Sequence, residues 1–229
     1  MTDTKSALPL AKARAFGRHL AGDRSGLAMV EFAFAAPLVL GMGMLGTDTA
    51  LLVITHLQVS QIAMQVADNA SRVGEQEVLT ARRVFERDIA ETLIGAEKLG
   101  ENINIFGRGR VIISSLQRNA VGGQWIAWQR CRGAKRYDST FGFEGNGATG
   151  TSFPGMGEPG RYITASQGTA VMFVEVAYDF DSPLPVDLFE GKTIIYTAAF
   201  NVRDNRDLTR LHPGGPVASC NTYSAARPT

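Results

Sequence analysis

The sequence predicts an α+β protein in which a long N-terminal transmembrane and amphipathic helix precedes a small domain with an antiparallel β-sheet. Three observations support this prediction. An apolar run covers residues 27–54, apolar residues recur at helical spacing up to Val73, and short segments rich in β-branched and aromatic residues follow residue 100. The 229-residue chain thus divides into segments 1–26, 27–54, 55–74 and 75–229, the last being long enough for one domain with its own core.

Segment 1–26 is a basic leader. It contains five basic and two acidic residues and carries 5 − 2 = +3, the residues being Lys5, Lys12, Arg14, Arg18 and Arg24 against Asp3 and Asp23. Because the whole chain carries +1, the remainder carries 1 − 3 = −2. Positive charge beside a membrane span keeps that side in the cytoplasm. We therefore expect a cytoplasmic leader and an extracytoplasmic C-terminal domain, and the small net charge predicts no nucleic-acid partner.

Segment 27–54 predicts a single transmembrane helix. Its 28 residues rise about 42 Å as a helix, whereas the hydrocarbon core of a bilayer is about 30 Å thick. A buried core helix is one alternative, but such a helix rarely stays apolar on every face for four turns. A cleaved secretory signal is another, but its apolar region would be shorter and would not follow 26 mostly polar residues. Asp48 is expected near the outer headgroups or in a contact between subunits.

The junction between leader and span contains the candidate functional residues. Gly26 is followed by Leu27, three further apolar residues, Glu31 and the aromatic Phe32. An ionisable residue inside a span is costly, and it therefore suggests a function. If the chain were cut between Gly26 and Leu27, Glu31 would lie one helical turn from the new α-ammonium group. The carboxylate could then neutralise its own terminus or that of a neighbouring subunit, because opposite charges attract strongly at low dielectric.

This junction resembles the processing site of type IV prepilins. The longer stretch from Arg24 through the Val30-Glu31-Phe32-Ala33 and Pro37-Leu38 elements to the amphipathic tail resembles the TadE-like family, the minor pilin-like proteins of the tight-adherence (Flp) pilus system. The resemblance covers residues 24–74. It implies a pilin-like fold, cleavage after Gly26 by a prepilin peptidase, and location in a bacterial inner membrane. It also implies a structural or assembly role, with other pilin-like subunits and pilus assembly proteins as partners.

Two other functional classes have less support in the sequence. The alternative is an unprocessed single-pass membrane anchor whose extracytoplasmic domain captures a ligand or partner. An enzyme has no support, because the sequence contains no catalytic triad order, paired histidine motif or P-loop. Gly41, Gly43 and Gly46 spell a G-x-G-x-x-G pattern, with Asp68 further on, but a dinucleotide site needs a preceding strand. We therefore expect no cofactor and interpret the glycines as sites of close helix–helix approach.

The elements after the span are predicted from their periodicity. The first helix is expected to run from Leu27 to Val73, with Gly74 as its stop. A second helix is expected over 79–99 with Thr80 as its N-cap. Strands are predicted at 103–106, 110–118, 124–131, 171–181 and 192–203, the second and third joined by a turn at 119–123. The glycine-rich residues 142–160 are predicted to be a long surface loop.

The remaining candidates are cysteines and charge clusters. Cys131 and Cys220 are the two cysteines, and in an oxidising compartment they predict one disulfide. The acidic cluster Asp179, Asp181, Asp187 and Glu190 lacks the regular spacing of a calcium loop, and His19, His56 and His212 are scattered, so we expect no metal. The basic cluster Arg130, Arg132, Lys135 and Arg136 beside Trp125 and Trp128 is interpreted as a basic turn next to core tryptophans.

Overall fold

The computed structural model of the protein describes residues 7–23, 25–75, 80–184, 189 and 191–228. The chain divides into two compact units, Met1–Thr49 and Ala50–Thr229. In chain order the elements are α1 Ala7–Gly22, α2 Ser25–Arg72, α3 Glu86–Leu99, a 3-10 turn Glu101–Ile103, α4 Ile105–Arg108, β1 Gly109–Arg118, β2 Gln124–Arg132, β3 Val171–Asp179 and β4 Thr193–Asn201. The α+β prediction is confirmed at this level.

The sheet is antiparallel throughout, with strand order β2-β1-β3-β4. The predicted hairpin between β1 and β2 is confirmed. The Oδ1 atom of Asn119 accepts hydrogen bonds from the backbone N–H groups of Val121 and Gly123 at 3.1 and 2.8 Å. Gly122 has φ +88°, a value that residues with a Cβ rarely adopt. Side-chain capture of turn N–H groups by Asn explains why the chain reverses here.

The main core lies between one face of the sheet and two helices. Alternate strand residues such as Val111, Met172 and Val174 point to this face and pack against Ile62 of α2 and Leu93 of α3. In the second unit, the buried face of α2 begins at Leu52. The amphipathic stripe in the sequence therefore marks the face of α2 that the sheet covers.

The opposite face of the sheet is covered by the long connection between β2 and β3. Phe173 and Ile126 pack there with Met156, which is completely buried. The prediction that 142–160 forms a surface loop is therefore wrong for Met156. A sheet whose strands are apolar on both faces must bury both, and without a second layer of helices the connection supplies the cover.

Two local predictions are also wrong. The predicted strand 103–106 is a 3-10 turn and one turn of α-helix, because Asn104 adopts the left-handed conformation with φ 50° and reverses the chain. The second helix begins at Glu86 rather than at 79, and the carboxylate of Asp88 accepts a hydrogen bond from the Phe85 N–H at 2.8 Å. Asp88, and not Thr80, supplies the cap of this helix.

Candidate functional site

The junction residues lie at the start of α2. α1 ends at Gly22 and α2 begins at Ser25, so the peptide bond between Gly26 and Leu27 belongs to the first turn of α2. The Leu27 side chain is 58% exposed, and a Cβ added to Gly26 would meet no atom within 4 Å. The first four N–H groups of a helix have no partner within it. This bond is therefore accessible and lies where helical hydrogen bonding is weakest.

Glu31 lies one turn further along α2, on the same side as Leu27. Residues four apart in a helix are neighbours, separated by about 6 Å along the axis. The Glu31 side chain is exposed, and within the described residues it forms no salt bridge. Phe32 follows it with 72% of its side chain exposed. An amine created at Leu27 would thus face an available carboxylate, and it would add its positive charge to that of the helix N-terminus.

Residues 27–46 form an apolar helical surface on every side. These 20 residues rise about 30 Å and contain Glu31 as their only charged residue. Their large side chains are mostly exposed: Met29, Val30, Phe34, Leu38, Val39, Leu40, Met42, Met44 and Leu45. One helix of the described residues, reaching through this stretch, is long and apolar enough to cross a membrane. A surface of this size and composition requires a non-aqueous environment or partner.

Two hydroxyl groups just after this stretch form hydrogen bonds within the helix. The hydroxyl of Thr47 donates to the Gly43 carbonyl at 2.9 Å, and that of Thr49 donates to the Leu45 carbonyl at 2.8 Å. Such bonds remove the cost of placing a free hydroxyl group in hydrocarbon. Asp48 is fully buried, whereas the sequence placed it near headgroups or in a subunit contact.

The three glycines of the G-x-G-x-x-G pattern lie inside the continuous helix α2. A Cβ added at Gly41, Gly43 or Gly46 would meet no atom within 4 Å. A dinucleotide fold would place such glycines between a strand and a helix. Here they leave a stretch of the apolar surface where another helix could approach closely.

The cysteines lie in the second unit and form the expected pair. Their sulfur atoms are 2.03 Å apart, which is the length of a disulfide bond. The pair ties the end of β2 to the C-terminal tail. Arg110 of β1, only 1% exposed, holds the same tail by donating to the carbonyls of Cys220 and Thr222 at 2.7 and 2.8 Å. The ring of Tyr223 lies 4.2 Å from its guanidinium.

A buried arginine also holds the C-terminal end of α2. The Arg206 guanidinium donates to the carbonyls of Ala70, Ser71 and Val73 at 3.1, 2.8 and 2.9 Å. These are carbonyls that the helix itself cannot satisfy. Burial lowers the pKa of Arg206, and the Asp204 carboxylate, 3.6 Å away, opposes that effect. Sequence reasoning missed both buried arginines, because their acceptors are backbone atoms distant along the chain.

Glu175 is a second group that the sequence did not reveal. It lies at the centre of β3, is completely buried and accepts hydrogen bonds from the Ser139 hydroxyl, the Tyr137 hydroxyl and the Thr140 N–H. Burial raises the pKa of its carboxyl group, while these donors act in the opposite direction. With its oxygen atoms surrounded by donors, Glu175 serves to attach residues 137–140 to the sheet.

The charge clusters are distributed into separate pairs. Asp179 accepts from Lys135 at 2.5 Å, and Asp181 lies 2.6 Å from Arg108, whereas Asp187 and Glu190 lie outside the described residues. Within the described part of the chain, no group of three or more possible ligands is placed to hold a metal ion.

In the basic cluster, the two arginines of β2 are paired with glutamates. Arg130 contacts Glu86 and Glu144, and Arg132 contacts Glu97. Trp128 lies in the main core, with 6% of its surface exposed. These pairs neutralise Arg130 and Arg132 and make both side chains part of the domain's own packing.

Comparisons of the chain with protein families, with curated proteins and with solved structures found no match.

Proposed function

We propose that the protein is a pilin-like structural or assembly subunit of a tight-adherence type IV pilus system. It lies in a bacterial inner membrane with its N-terminus in the cytoplasm and its sheet domain outside. A prepilin peptidase removes the leader after Gly26. The exposed apolar surface of residues 27–46 then holds the subunit in the bilayer and packs against other pilin-like helices.

One observation carries this proposal. Residues 27–46 of helix α2 expose an apolar surface on all sides over about 30 Å. Glu31 is the single charged residue of that surface, and it lies one turn from the exposed Gly26–Leu27 bond. A plain membrane anchor gains nothing from a carboxylate in this position, because an ionisable group weakens insertion. A subunit with a new N-terminus at Leu27 does gain from it, because the α-ammonium group and the carboxylate neutralise each other.

The first experiment identifies the mature N-terminus. The full chain is expressed in bacteria with and without a prepilin peptidase, and the product is measured by intact mass and N-terminal sequencing. We expect Leu27 as the first residue only when the peptidase is present. Since a side chain at Gly26 or at Gly22 meets no atom within 4 Å, Gly26→Val should block cleavage without changing the fold, and Gly22→Val is its matched control. A chain that keeps its leader beside an active peptidase would refute the proposal and favour the unprocessed anchor.

The second experiment tests the role of Glu31. Glu31→Gln keeps the size of the side chain but removes its charge. Cleavage and membrane insertion should be unchanged, while co-purification with other pilin-like subunits should fall about tenfold, because an uncompensated charge then remains at low dielectric. Thr49→Val is the matched control, since within the described residues its hydroxyl bonds only to the Leu45 carbonyl of its own helix. Equal co-purification of the two variants would contradict the pairing of Glu31 with the terminal amine.

A further inference from the structure

The two edge strands of the sheet, β2 and β4, differ in whether other segments of the domain bond to their outer sides. The outer edge of β2 is sealed by the rest of the domain. Ile126 exchanges backbone hydrogen bonds with residues 145 and 146, at 2.8 and 2.9 Å, and the Cys131 N–H donates to the Ala218 carbonyl at 2.8 Å. The Gln129 N–H donates to the Glu144 carboxylate at 2.8 Å. This edge is therefore not available to another strand.

The outer edge of β4 has no backbone partner among the described residues. Within the described residues, the backbone of Thr193–Asn201 forms its hydrogen bonds to β3, and no other segment bonds to its outer side. The strand has nine residues, about 31 Å, of which Thr193, Ile195, Thr197 and Asn201 are exposed. Ile195 exposes 48% of its side chain.

β4 also lacks the features that usually prevent edge strands from pairing. Its sequence, TIIYTAAFN, contains no charged residue, no proline and no glycine. Proteins normally protect an open edge with lysines, prolines or bulges, because its free N–H and C=O groups attract any other strand. The absence of all three in a long and open edge indicates a strand that is meant to be paired.

We propose that β4 pairs with β4 of a second copy of this chain. In an antiparallel pair related by a two-fold axis at Thr197, Thr193 lies opposite Asn201 of the other copy, Ile195 opposite Ala199, and Thr197 opposite Thr197. The inner face pairs Tyr196 with Ala198 in the same way.

The side chains of β4 favour this self-pairing. Each large residue of the central part meets a small one, and the polar ends meet each other. In a symmetric pair, a charge at the centre of the strand would face its own copy, and β4 contains none. The two four-stranded sheets would then form one continuous sheet of eight strands. This inference is independent of cleavage after Gly26.

The test uses single cysteines in the full chain, reconstituted in lipid nanodiscs large enough for two copies. The two native cysteines form the disulfide, so an engineered cysteine is the only free thiol. A thiol cross-linker about 8 Å long should join two copies of Thr197→Cys, because directly opposite Cβ atoms lie about 5 Å apart. It should not join two copies of Thr193→Cys, whose positions are about 27 Å apart in the pair. A mixture of Thr193→Cys and Asn201→Cys chains should cross-link.

A charge substitution then separates pairing through β4 from association through α2. Thr197→Lys places two like-charged side chains at directly opposite positions, with Cβ atoms about 5 Å apart, and should raise the dimer dissociation constant about tenfold. The matched control, Asn201→Lys, places the charges about 27 Å apart and should leave the dissociation constant nearly unchanged. Failure of Thr197→Cys to cross-link, equal cross-linking of Thr193→Cys, or a dimer unaffected by Thr197→Lys would each overturn the proposal.

Discussion

The end of α2 provides the sharpest test of how the second unit is held together. Arg206 is 6% exposed and donates three hydrogen bonds to the carbonyls of Ala70, Ser71 and Val73. Arg206→Met preserves most of the volume of the side chain but leaves these carbonyls without a donor. Hydrogen bonds from a charged group contribute about 1.5–3 kcal/mol each and are not additive. We therefore expect a loss of about 3–5 kcal/mol, as for other broken buried ionic contacts.

The loss is measured by thermal unfolding of the full chain in detergent, followed by the fluorescence of the two tryptophans, Trp125 and Trp128, both in β2. A loss of about 3–5 kcal/mol should lower the melting temperature by about 6–20 °C in a protein of this size. Arg203→Met is the matched control, because Arg203 is exposed on the same connection, and it should change stability by no more than about 0.5 kcal/mol. Arg206→Lys should lie between the two, since an ammonium group cannot span three carbonyls as a planar guanidinium does.

Unfolding of Arg206→Met within about 1 °C of Arg203→Met would refute this role of the Arg206 guanidinium. That result would mean that water replaces the guanidinium at the three carbonyls at no net cost. The Arg82 side chain, which donates to the Arg72 carbonyl at 3.0 Å, would then be the group that closes the helix.

Two further predictions concern the second unit. Cys220→Ser should destabilise it by up to about 4–5 kcal/mol, because the bond to Cys131 closes a loop of 89 residues, and denaturant unfolding with and without reductant checks this. Hydrogen bonds from Thr209 and His212 lower the pKa of Asp207 from 3.8 to about 2. Its contribution is therefore complete above about pH 5 and is lost as the pH falls through 2, so Asp207→Asn should cost about 1–2 kcal/mol at pH 7 and almost nothing near pH 1 in denaturant titrations at both pH values.

The sequence predicted those parts of the fold that depend on local pattern. The helix α2 ends at Arg72, one residue before the predicted Val73, because Gly74 adopts φ +124° and a Cβ there would lie 2.7 Å from the Arg83 carbonyl oxygen. The sheet strands were found because alternation of side chains is a local property. The candidate junction at Gly26 could also be proposed from the sequence, because the basic segment, Gly26 and Glu31 lie close together in the chain.

The wrong predictions concern residues whose state is decided by distant contacts. Ile105 and Phe106 are apolar enough for a strand, yet they complete a helical turn that packs into the core. Met156 belongs to a segment whose sequence predicts an exposed loop. Its burial depends on a sheet face formed by strands that precede and follow it in the chain. Arg110 and Arg206 appear as ordinary surface charges, and only their carbonyl partners, in one case more than 130 residues away, explain their burial.

The disulfide between Cys131 and Cys220 has a practical consequence for handling the protein. The exposed residues around Arg161 lie within the covalent ring that this bond closes. A protease that nicks the chain there opens the ring but releases no fragment. A non-reducing gel does not show such damage. Hydrolysis of the bond adds only one water, about 18 Da, so a mass measurement of low accuracy misses it as well. Samples used for any of the above measurements therefore have to be inspected after reduction, when a nicked chain separates into two pieces.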